Sequence, residues 1–221
     1  MLSRQEAQNV VSMLKQQADD YFAECREISK YVVVSRGFFE GDKKNSYYKS
    51  FSRILTNTAI QAMYVLVSGI MSGLTSKSKK WLHLQNFDSD LDNNYQVRLF
   101  LEKLENIIYR IFDKSNVYEA LPLLYEESCA FGTSCALVED DNDNIVNILT
   151  FTVGQYYIDV DSKGKADTFV RQFNMNVKNI VEKFGYNNCP DNIKTAYDDK
   201  RFDNEFLVNH LIYKNEKFLK V

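Results

Sequence analysis

Cysteine, histidine and proline are scarce in this 221-residue chain, with four, two and two copies respectively. Cys25, Cys129, Cys135 and Cys189 are scattered, no CxxC pair occurs, and His83 and His210 are too few to complete a metal set. The thiols therefore read as buried or free side chains, and no metal site is expected. Each histidine lies in an alternating apolar pattern, which reads as a packed or edge position. No proline-rich linker and no internal repeat divides the chain.

Positive charge is not in excess either. Twenty-seven lysines and arginines face thirty aspartates and glutamates, a net charge of −3, which argues against tight nonspecific binding of nucleic acid, since that depends on cations displacing counterions from phosphates. Neither GxxxxGK[ST] nor GxGxxG occurs, so nucleotide use is not expected. A GxSxG elbow with its proton-accepting histidine is also missing. The carboxylate pairs Asp88 with Asp90 and Asp198 with Asp199 lie in polar runs, where solvation keeps their proton affinities ordinary. No catalytic residue and no cofactor is expected. The apolar stretch over 59–74 is interrupted by Gln61, Ser68 and Ser72 and falls short of a bilayer span. The first residues lack the basic and apolar regions of a secretory signal, so a reducing cytoplasm is the expected place of synthesis.

What remains is ordinary globular composition, 45% hydrophobic and 26% charged. Ser3 and Glu6 have capping-box spacing, and Val11, Leu14, Ala18, Tyr21, Phe22, Cys25 and Ile28 continue a helical stripe, predicting a long first helix. Residues 31–34 (YVVV) favour extension, followed by a polar connection over 36–50. Ala59, Met63, Leu66, Ile70 and Leu74 recur at steps of three and four and predict a second helix with these side chains inward. Within it Gly69 and Gly73 each cost roughly 1 kcal/mol against alanine. With Ser68, Ser72 and Ser76 they form a ridge of small residues at spacing four, which lets another main chain come close.

After this helix, Lys77, Lys79 and Lys80 stand beside Trp81, a pattern that either contacts phosphate or a protein partner, or is a solvated turn. Alternation at 81–84 predicts a short strand, and the acidic run at 88–92 a loop. Val97, Leu101, Leu104, Ile108, Ile111 and Phe112 predict a third helix. A fourth ends at Gly132, with a strand after it. Asp140, Asn142 and Asn144 take alternating positions of a calcium loop, but Ile145 and Phe151 stand where its glycine and bidentate glutamate belong, so a hairpin turn is the better reading. Strands near 154–158 and 168–173, a helix from Val177 closed by Gly185, another from Pro190, a strand over 206–212 and a return strand at 218–221 complete the expectation. Arg171 is either part of a buried or interfacial ion pair or an exposed strand arginine.

The run Ser68-Gly69-Ile70-Met71-Ser72-Gly73-Leu74-Thr75-Ser76 followed by Trp81 resembles the signature of the head-to-tail connector, or portal, proteins of short-tailed bacteriophages. Asn116 to Val138, with its Phe131-Gly132-Thr133 stop and aliphatic strand, and Arg171 in its strand resemble the same family. The chain departs from the family at Thr56-Asn57, where Asp-Ser is usual, at Lys77-Ser78-Lys79-Lys80, where prolines are usual, and at Val117, where an aromatic is usual.

The resemblance implies an α+β fold of several helices packed on antiparallel hairpins, the wing-like part of a portal subunit. Its parts would be an N-terminal helix over 1–30, a mainly helical part over 31–132 and a mainly β-hairpin part over 133–221, with stem, clip and crown expected beyond residue 221. It also implies a structural subunit in a ring of about twelve copies at one capsid vertex of the virion, assembled in the bacterial host cytoplasm without a membrane. Its partners would be capsid protein, terminase, tail adaptor and passing double-stranded DNA. A mildly acidic wall suits passage, because it does not hold phosphates. Ser68, Gly69, Ser72, Gly73, Ser76, Trp81 and Arg171 are the close-packing or assembly residues on this reading, and Lys77, Lys79 and Lys80 the DNA or partner contacts. The alternative is a small nucleic-acid- or protein-binding adaptor module that forms no ring.

Overall fold

A computed structural model of the chain describes residues 4–34, 36, 56–86 and 94–213. Among the described residues are six α-helices and two small antiparallel sheets, an α+β architecture as expected. Ser3 of the capping box, most of the 36–50 connection, the acidic loop at 88–92 and the return strand at 218–221 lie outside the described residues.

The chain divides into two units, one of residues 1–21 with 154–221 and one of residues 22–153, so the division passes through the first helix. That helix, α1 (Arg4–Tyr31), buries Val11, Leu14 and Cys25 and half-buries Ala18, Phe22 and Ile28, the expected stripe, although Tyr21 is exposed. Residues 31–34 are not extended. Val32 donates to Ile28 O at 2.9 Å and Arg36 to Val33 O at 3.1 Å, so the chain leaves α1 through turns, with Val33 buried.

In the unit of residues 22–153, α2 (Thr58–Leu74) packs chiefly on α4 (Val117–Phe131), and α4 packs on strand β2 (Ile145–Phe151). The expected inward face of α2 is shifted. Met63, Val67 and the following Thr75 are buried, whereas Ala59, Leu66 and Leu74 are exposed. A row at spacing four is narrow enough to seat on one neighbouring helix, and residues to its side are left out. Helix α3 (Tyr95–Lys114) begins where Asn94 accepts a hydrogen bond from the Gln96 amide at 2.9 Å, and its expected face over Val97 to Phe112 is turned inward. Helix α4 stops at Gly132, which adopts φ 76° and donates to Ser128 O at 3.0 Å.

Strand β1 (Cys135–Asp141) pairs antiparallel with β2, Val138 opposite Ile148. The predicted turn joins them: the Asp141 carboxylate accepts from Asp143 N at 3.0 Å and Asn144 Nδ2 at 3.1 Å. These donors hold its carboxyl below the usual range. At the start of α4, the Asn116 amide donates to Ile148 O at 2.9 Å and accepts from Ile148 N at 2.8 Å, fastening β2 as another strand would.

In the other unit, β3 (Tyr156–Val160), β4 (Ala166–Asn176) and β5 (Glu205–Tyr213) form an antiparallel sheet in that order. Helices α5 (Val177–Phe184) and α6 (Asp191–Asp198) contribute Val177, Ile180, Ile193 and Ala196 to a core with Cys189, and Met175, Phe206 and Val208 of the sheet pack on it.

Candidate functional site

The small ridge of α2 faces away from α4. Ser68, Gly69, Ser72 and Gly73 are exposed and Ser76 is half-buried. A Cβ placed on Gly69 or Gly73 would meet nothing within 4 Å. The close main-chain approach expected at this ridge is therefore not made among the described residues, because the helix seats on α4 through the Met63, Val67 and Thr75 row instead. Around the ridge Val65 is 73% exposed and Leu74 64% exposed, and α2 carries no charged side chain at all.

From Thr75 the chain is fixed step by step. The Thr75 hydroxyl lies 3.1 Å from Tyr125 Oη of α4, and Ser76 Oγ receives the Ser78 amide at 3.3 Å, forming a polar turn. Lys77 reaches Asp113 of α3 at 3.9 Å and stands 5.5 Å from the Tyr118 ring centroid. Lys80 donates to Asn106 Oδ1 at 2.8 Å. Trp81 stacks on Phe112 with centroids 5.7 Å apart and meets Tyr109 edge-on at 6.2 Å. Its indole nitrogen donates to Tyr118 Oη at 3.4 Å. Trp81 is thus a packing anchor between α3 and α4, with little ring face left to stack a base.

The segment 81–86 has no regular secondary structure and pairs with no strand among the described residues, which corrects the strand expected at 81–84. Side chains of α3 take the place of a strand. Tyr109 Oη accepts from the amides of Trp81 and Leu82, at 2.5 and 2.6 Å. One turn earlier, the buried Glu105 carboxylate accepts from Leu84 N at 2.8 Å and lies 2.7 Å from His83 Nδ1. The exposed His83 is therefore part of this staple rather than an edge residue of a sheet. Sequence reasoning missed Glu105, although a glutamate beside the apolar stripe of Leu101, Leu104 and Ile108 was the signal that could have found it.

Arg36, the fully buried Glu127 and Thr152 form a second polar cluster in this unit. Arg36 Nε donates to Glu127 Oε1 at 2.8 Å, Thr152 Oγ1 to the same oxygen at 2.6 Å, and Val153 N to Oε2 at 3.1 Å. Burial raises the adjacent Glu126 carboxyl above its ordinary value, opposed by Arg36 and reinforced by Glu127. In the other unit, the half-buried Arg171 lies opposite Tyr156 and His210, its guanidinium 4.2 Å from the Phe173 ring centroid. Among the described residues no group of three metal-ligating side chains converges, and no helix is long and apolar enough to cross a membrane. The site is a set of packing anchors and exposed faces.

The family described as Bacteriophage head to tail connecting protein matches residues 4–220. This chain belongs to that family. It is 32% identical over 199 residues to a probable portal protein of Bordetella phage BPP-1, covering 90% of this chain and 36% of that protein. It is 28% identical over 205 residues to the portal protein of Salmonella phage epsilon15, covering 93% of this chain and 37% of that protein. The connecting-protein chain therefore spans little more than a third of the length of these relatives.

Proposed function

We propose that the chain is the wing-like part of a portal subunit, a structural element of a head-to-tail connector at one capsid vertex of a phage virion. About twelve copies close into a ring by head-to-tail contacts, around a passage for double-stranded DNA during packaging and ejection. Capsid protein, terminase and tail adaptor are the further partners of the full-length protein, with stem, clip and crown supplied by segments beyond residue 221. Assembly takes place in the bacterial host cytoplasm, and the chain has no chemistry of its own.

The observation that carries this reading is the family match over residues 4–220 together with an uncharged helix exposing its glycines and Val65. An exposed face of that composition supports contact with a neighbouring protein surface. Negative-stain microscopy of the full-length protein tests it: closed rings are expected, and a uniform monomer at micromolar concentration would overturn the reading in favour of an adaptor module.

A further inference from the structure

Helix α3 carries large apolar side chains on its outer side. Tyr95, Leu99, Lys103 and Ile107 follow one another at spacing four, and Phe100 lies beside this row. All five are exposed, Tyr95 at 76% and Phe100 at 59%. Helix α2 has the opposite relief. Val65, Gly69 and Gly73 repeat at the same spacing, Ser68 and Ser72 stand beside the glycines, and the helix has no charged side chain. Among the described residues nothing stands within 4 Å of where a Cβ on either glycine would be. Both helices pack on α4, and each turns its bare face away from it.

We propose, resting on the ring reading above, that the outer row of α3 on one subunit is the seat for the glycine face of α2 on the next. Head-to-tail closure needs two unlike faces on every subunit, and these two do not meet within one chain. Four residues span about 6 Å at about 1.5 Å rise per residue, so the two rows share a pitch and can interdigitate, large side chains into the gaps over glycine. Charge selects the pairing. A contact of α3 with its own copy would set Lys103 against Lys103, whereas α2 brings no charge to the lysine, whose stem can lie along apolar surface with its ammonium at the edge. Leu99, Phe100 and Ile107 then form the apolar centre, and the exposed Glu102 and Arg110 fall on the polar rim. One helix on one helix covers less than the roughly 800 Å² per partner of a stable interface, so the contact forms within the closed ring and not as an isolated dimer.

Cross-linking in the full-length protein tests it, in a Cys129→Ser background because Cys129 is the exposed cysteine. Subunits carrying Ser72→Cys are co-expressed with subunits carrying Lys103→Cys, and the rings are treated with a short bis-maleimide. A covalent pair of subunits is expected in the mixed rings and in rings of neither variant alone. Pairs formed by Ser72→Cys alone would assign α2 to another α2 and overturn the proposal. Closed rings that give no pair, with both thiols still reactive towards a simple maleimide, would overturn it and leave the ring reading standing. A parent protein that forms no ring would overturn both. The variant L99E/I107E is a second measure: loss of closed rings is expected while the circular dichroism of the 221-residue chain is unchanged, and rings that persist would overturn the proposal. Where the cysteine variants fail to assemble, L99E/I107E decides alone, and where L99E/I107E loses helicity, the cross-link does.

Discussion

Arg36 Nε lies 2.8 Å from Glu127 Oε1, a pairing across 91 residues of sequence that ties the turn after α1 to the middle of α4. Glu127 has no exposed surface, and its other partners are Thr152 and Val153 just after β2. Removing one partner of a buried pair leaves an uncompensated charge, at a cost of about 3–5 kcal/mol. Arg36→Met is expected to destabilise the chain by an amount in that range in urea unfolding. Replacing both, as R36M/E127L, is expected to recover a large part of the loss, because no buried charge then remains. A double variant no more stable than the single one would show that the pair does more than neutralise itself.

The Tyr109 hydroxyl is the acceptor for two consecutive main-chain amides, of Trp81 and Leu82. Tyr109→Phe keeps the ring contacts with Trp81 and Phe112 but leaves both amides without that oxygen. A loss of about 1–3 kcal/mol per unsatisfied buried group is the expectation. Hydrogen exchange should show the amides of residues 81 and 82 losing protection while α3 itself stays protected. Equal protection in the variant would mean that the aromatic stack alone holds the segment.

Glu126 supplies a pH dependence whose sign is set by burial. Its folded-state pKa is raised, so the folded chain binds this proton more tightly than the unfolded chain does. The stabilising contribution is complete below the unfolded value and is lost as pH rises through the folded one. Glu126→Gln removes the titration. The variant is therefore expected to gain stability over the parent chain between about pH 4 and pH 7, as followed by thermal melting across that window, and to match it at the acid end. A gain that grows towards low pH would contradict the assignment.

Much of this architecture was legible because periodic burial is written locally. The helix over Val97 to Phe112 and the stop at Gly132 follow from spacing and from the conformation that glycine permits. The partner of α2 was not legible, since its sequence is apolar on nearly every side and only the seat on α4 decides that Met63 and Val67 go in while Leu66 stays out. Segment 81–86 misled for a related reason: alternation favours extension, but whether such a stretch joins a sheet depends on what stands beside it, here Tyr109 and Glu105. The lysine turn was visible as a cluster. Its seat along α3 was not, because only the docking of Lys80 on Asn106 brings the two stretches together.

Ile145 closes the β1–β2 turn with φ 73°, a left-handed conformation that a β-branched residue adopts only under strain. Its side chain is 56% exposed, so little packing offsets that strain. Ile145→Gly is expected to stabilise the chain by about 1 kcal/mol, the penalty for a side chain in this region. Chemical denaturation of the two proteins measures it. A loss instead would show that the isoleucine packs against something that outweighs its backbone conformation.

Gly69 and Gly73 separate folding from assembly, because among the described residues neither has a neighbour that a methyl group would strike. Alanine at an exposed helix interior is favoured over glycine by about 1 kcal/mol per site. The variant G69A/G73A of the 221-residue chain is therefore expected to unfold at higher urea concentration, by about 2 kcal/mol in total. In the full-length protein the same two methyl groups would stand where the proposed neighbouring subunit approaches the ridge, and the fraction of closed rings seen by microscopy is expected to fall. A less stable chain would mean that the ridge is already packed within the subunit. A more stable chain that still closes into rings would move the contact between subunits to another face, since close approach at spacing four has room for hydrogen and not for a methyl group.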